Sequence, residues 1–97
     1  MKDTDIKSLH QALLSLKTED EMRRFIIDLC TPNEIKTFVE RWAIARLLDA
    51  GALNYRDIAS QTGASTTTVT RVARFLKQEQ HGGYKTALTR IQRKNGP

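Results

Sequence analysis

Residues 55–74 constrain the chain more than any other stretch. They carry Ile58 and a small Ala59, then Gly63 and Ala64, then Val69 and Val72. Two short helices that cross closely need a small residue at the crossing and a glycine where the backbone turns through positive φ. They also need apolar residues that fasten the second helix to the first. Ala59, Gly63 and the Val69/Val72 pair meet these needs in that order. The spacing therefore predicts a helix-turn-helix, with helices over about 55–61 and 66–77 around the turn 62–65.

The outward positions of this motif suggest what it contacts. Ser65, Thr66, Thr67 and Thr68 lie at the N-terminal end of the second helix, the end that enters the DNA major groove in such motifs. Small hydroxyls there can reach bases or phosphates, and threonine methyls can meet thymine methyls. Thr70, Arg71 and Arg74 extend the same surface, while Arg56 and Lys77 suit phosphate contacts. The competing reading is that the threonines cap a helix and the arginines solvate it. A further alternative is a helix-turn-helix used for protein or RNA interaction.

Charge distribution favours a polyanion. The net charge is +5, but residues 1–53 hold eight basic and nine acidic side chains, whereas residues 54–97 hold eight basic and two acidic ones. The basic excess thus falls on the half that contains the motif.

The remaining periodicities are helical, so the expected fold class is all-α with six helices. Ile6, Leu9, Leu13 and Leu16 predict a helix over 5–16. Thr18 and Glu21 form a capping-box pattern ahead of Met22, Phe25, Ile26 and Leu29. Thr31, Pro32 and Glu34 repeat that signal for a third helix, which Gly51 ends after about residue 50. Ile35, Phe38, Val39 and Trp42 occupy one side of the third helix, and Ile44, Leu47 and Leu48 the other. A helix apolar on two sides is buried on two sides, and in 97 residues the second cover is expected from another subunit. Tyr84, Ala87, Leu88 and Ile91 predict a last helix over 83–92, with a fraying tail at 93–97. The expected organisation is one domain over 1–97: dimerisation helices over 5–50, the helix-turn-helix over 55–77, and the last helix.

Several chemistries find no support. No apolar run approaches the roughly 20 residues of a membrane span, and no secretion signal is visible, so the cytoplasm is the expected compartment. Cys30 is the one cysteine, which excludes an internal disulfide and suggests a buried thiol. Neither His10 nor His81 has a second ligand at metal-binding spacing, so no metal site is expected. No nucleophile elbow or phosphate loop appears, and no enzyme is expected.

Two runs resemble a known family. Leu29-Cys30-Thr31-Pro32-Asn33-Glu34 followed by Glu40-Arg41 resembles the L-T-P-(D/N)-E…R helix start of the tryptophan repressor family. From Gly63 on, Ala64-Ser65-Thr66-Thr67-Thr68-Val69-Thr70-Arg71 resembles its G-A-x-x-x-T-(I/V)-T-R reading helix. The similarity is greatest to its branch of small Trp-repressor-like (YerC/YecD-like) proteins. It implies a six-helix subunit, an intertwined homodimer, and repression through binding of palindromic double-stranded operator DNA. In tryptophan-binding members the ligand lies between the third helix and the reading helix. Arg71 and Arg41 match the arginines that hold its carboxylate and flank its indole, and Thr31 matches a backbone contact. Val72 and Phe75 depart from the pattern, adding bulk where a glycine and a serine leave room. The resemblance therefore implies DNA binding without a required cofactor. Tryptophan or another small effector remains a candidate for the Thr31, Arg41 and Arg71 positions.

Overall fold

Short-range capping sets most helix boundaries. The computed structural model describes residues 1–95 and contains α1 (Asp3–Ser15), α2 (Glu19–Leu29), α3 (Pro32–Ala50), α4 (Tyr55–Thr62), α5 (Thr66–Lys77) and α6 (Gly83–Asn95). No strand occurs among the described residues, as the helical periodicities predict.

Thr31 and Glu34 make the reciprocal box at the start of α3: the Glu34 amide donates to Thr31 Oγ1 at 3.1 Å, and the Thr31 amide donates to Glu34 Oε1 at 2.8 Å. At α2 the Glu21 amide donates to Thr18 Oγ1 at 3.1 Å, but the Glu21 carboxylate reaches one residue further back, to the Lys17 amide at 2.8 Å. Each pairing satisfies amides that a helix start leaves without partners. Gly51 and Gly63, at φ 75° and 77°, end α3 and α4 in the left-handed region, which favours glycine.

Two boundaries differ from the sequence expectation by two residues or more. α1 begins two residues early, at Asp3, because Asp3 and Asp5 sit in its first turn and complement the positive end of the helix dipole. α6 runs to Asn95 instead of stopping near 92, with Arg93 and Lys94 in its last turn favouring the negative end. The rest of the expected fraying tail, residues 96–97, lies outside the described residues.

The chain forms two compact units that divide within α3, residues 1–36 and residues 37 onward. In the first unit no residue of α1 or α2 is buried. Within α2, Arg23 and Arg24 each pair with Asp20 at 2.9 Å. Cys30, expected to be buried, is only half-buried where it caps the end of α2.

The second unit holds the core. Ile44, Ala45 and Leu48 of α3 meet Ile58 and Ala59 of α4, Val69, Val72, Ala73 and Leu76 of α5, and Leu88 of α6. Trp42, Leu47, Leu53, Ala64 and Tyr84 pack around them. Gln92 Nε2 also donates to Asp49 Oδ2 at 2.7 Å, tying α6 to α3.

Candidate nucleic-acid interface

The helix-turn-helix forms from residues with opposite preferences on opposite sides. Asn54 caps α4 by accepting from the Asp57 amide at 2.9 Å, and Gly63 closes that helix with its amide on the Ala59 carbonyl at 3.0 Å. Ala59 is 9% exposed and Ile58 fully buried, so the small residue and its apolar neighbour occupy the crossing as their chemistry predicts. Ser65 then starts α5, its hydroxyl accepting from the Thr68 amide at 3.1 Å.

α5 is divided lengthwise. Val69, Val72, Ala73 and Leu76 are buried, whereas Thr66, Thr67, Thr70, Arg71, Arg74 and Lys77 are exposed. At about 100° per residue, these six exposed side chains fall within one arc of about 140°. Arg56 on α4 is likewise exposed.

The hydroxyls of this region are not equivalent. Ser65 is engaged as a cap and also shares a hydrogen bond with Thr68 Oγ1 at 3.0 Å. Thr70 Oγ1 donates back to the Thr66 carbonyl at 3.0 Å. Among the described residues, the hydroxyls of Thr66 and Thr67 have no such partner, which leaves them available to an external group. Thr68 is only half-exposed.

An open pocket adjoins α5. It has a volume of about 590 Å³ and is lined by Phe38, Arg41, Trp42, Arg71, Phe75, His81, Gly83 and Tyr84. Arg41 and Arg71, marked by sequence as candidate effector residues, therefore share one cavity. Thr31 belongs to the other unit, where it caps α3. Arg41 Nε is buried without a hydrogen-bond partner among the described residues, a costly state for a polar group.

The two bulky departures take different positions. Val72 is fully buried in the core. Phe75 instead forms part of the pocket wall, stacked on His81 with ring centroids 6.0 Å apart and planes at 21°. Trp42 and Tyr84 form a second stacked pair across the same pocket, at 6.5 Å and 24°. Periodicity assigns Phe38 and Trp42 to an apolar stripe and His81 to a connector. Their convergence joins side chains up to some forty positions apart, which no local spacing encodes.

The sequence profile of the family described as Trp repressor protein matches residues 4–92. The chain is 40% identical over 91 residues to the uncharacterized protein YerC of Bacillus subtilis (strain 168), covering 94% of this chain and 86% of that protein. The crystal structure of a TrpR-like protein from Eubacterium eligens ATCC 27750 superposes with a TM-score of 0.86 at 41% identity, covering 93% of this chain and 91% of the other. A proposed Trp repressor from Staphylococcus aureus superposes with a TM-score of 0.85 at 32% identity, covering 93% and 88%. The chain therefore belongs to the Trp repressor family, a family of DNA-binding regulators rather than of enzymes.

Proposed function

We propose that this protein is a transcriptional repressor of the cytoplasm that binds palindromic operator DNA as a homodimer, the whole chain acting as one Trp-repressor-like domain. The observation that carries this reading is the lengthwise division of α5, a buried apolar side backing an exposed arc of hydroxyls and cations just after a left-handed glycine turn. In this reading Thr66 and Thr67 meet base edges, Ser65 and Thr68 set the helix end that approaches them, and Thr70, Arg71 and Arg74 extend the contact along the groove. Arg56 and Lys77 hold phosphates on either side.

Support for a second copy comes from α3. Phe38 and Val39 are 49% and 61% exposed, on the side of α3 away from the buried Ile44 and Leu48. Large apolar side chains this exposed are the kind of surface that a partner covers.

The pocket supports a small effector as a second element of this reading. Arg41 and Arg71 supply positive charge, and the aromatic walls suit a planar body. Tryptophan is one such molecule, and Thr31 is the third candidate residue for holding it.

The test is selection of bound duplexes from a random pool by the full chain, with the mass of the complex measured. A palindrome with half-sites about one helical turn apart, bound by two chains, is the expected result. Recovery of no preferred duplex, or preference for RNA or a protein partner, would reject the reading.

A further inference from the structure

Arg71 and Arg74 are the two arginines of the exposed α5 arc, and both place their guanidinium groups on one ring. Arg71 Cζ lies 4.6 Å from the centroid of Phe75, and Arg74 Cζ lies 4.9 Å from it. Both distances fall inside the roughly 6 Å range over which a cation is attracted to an aromatic face. Neither arginine has a carboxylate partner among the described residues, so no ion pair competes with the ring for them.

The ring itself is held. Phe75 is half-buried at a helix position that flanks the buried Val72 and Leu76, and His81 stacks on it at 6.0 Å. A long, flexible arginine normally loses much rotamer freedom when it binds a phosphate or a base edge. An arginine already resting on a fixed ring loses less.

We infer that Phe75 is a positioning residue of the DNA-facing surface: its ring is a platform that orders Arg71 and Arg74 before DNA arrives. This rests on the DNA-binding reading of α5 and adds to it a residue that touches no DNA. The arginines act together through one shared support, so removing that support weakens both contacts at once.

The experiment uses the full chain and a duplex enriched by it from the random pool. Phe75→Leu keeps apolar volume but removes the aromatic face, and Phe75→Trp keeps a face. Phe75→Leu is expected to weaken binding roughly five- to tenfold at constant salt, and Phe75→Trp to restore most of it. In an Arg71→Ala/Arg74→Ala background, Phe75→Leu should cause no further loss. In the free wild-type protein, the side-chain proton resonances of Arg71 and Arg74 should be shifted upfield by the ring. That shift should vanish in Phe75→Leu and persist in Phe75→Trp. It can be read in the wild type whether or not the leucine variant folds.

Wild-type affinity in Phe75→Leu would overturn the inference. So would a full loss that persists without the arginines, or absence of the ring shift in the wild type. Enrichment of no duplex would overturn the DNA-binding reading itself, whereas an enriched duplex bound equally by Phe75→Leu would overturn only the role of Phe75.

Discussion

The two units of this chain use similar amphipathic helices to different ends. From residue 37 onward, apolar stripes close on one another until Ile44, Ile58, Val69 and Val72 are fully buried. In residues 1–36, stripes of the same spacing leave Leu9 39%, Met22 38% and Leu29 51% exposed, and no residue of α1 or α2 is buried. The difference teaches that amphipathic periodicity specifies a face and not its cover. One unit closes a core of its own, and the other presents a surface whose apolar residues gain stability only from further contact.

The largest expected effect lies in the unit with a core. Ile58→Ala removes a fully buried side chain at the helix crossing and should lower unfolding free energy by about 3 kcal/mol in urea titrations. Leu14→Ala on α1 should lie within about 0.5 kcal/mol unless a second copy covers it. Equal effects would erase the distinction between the units.

A charge in the uncovered stripe comes next. Leu29→Glu should weaken self-association by at least about tenfold in sedimentation experiments if a second copy supplies the missing cover. In the wild type the melting temperature should then rise with protein concentration. A concentration-independent melt would mean that the stripe stays open, and the homodimer proposal would fall.

Backbone strain ranks third. A side chain at Gly63 meets no atom within 4 Å but must adopt φ near +77°. Gly63→Ala should therefore cost about 1 kcal/mol by conformation alone, visible as a lowered thermal midpoint.

The smallest effects fall on the exposed arc. Lys77→Ala should weaken binding to all duplexes a few-fold and reduce the slope of log affinity against log salt by about one. Thr67→Ala should leave that slope unchanged and relax preference at a single base position, read by competition with substituted duplexes. An unchanged affinity for Lys77→Ala at moderate salt would remove that residue from the interface.

Much of this architecture is legible in the sequence because its signals are short. Thr31, Pro32 and Glu34 fix the start of α3 within four residues, and Gly51 and Gly63 mark their turns by the conformation that only glycine adopts cheaply. The bounds of α5 follow from the Ser65 cap and the spacing of Val69, Val72 and Leu76. Two features at the site are not legible in this way. The Trp42/Tyr84 stack depends on how α3 and α6 meet, and the seating of two arginines on Phe75 depends on rotamers that spacing allows without requiring. Sequence marks Phe75 only as bulk. The structure shows a ring whose face is in use.

Trp42 is the chain's single tryptophan. It lines both the pocket of about 590 Å³ and a smaller one of about 290 Å³ between α3 and α6, with Tyr84 stacked beside it. It also lies off the α5 arc. The molecule consequently carries its own optical gauge: indole emission, fed by energy transfer from Tyr84, reports occupancy of the cavities. Entry of a titrant into either cavity is then followed without a label.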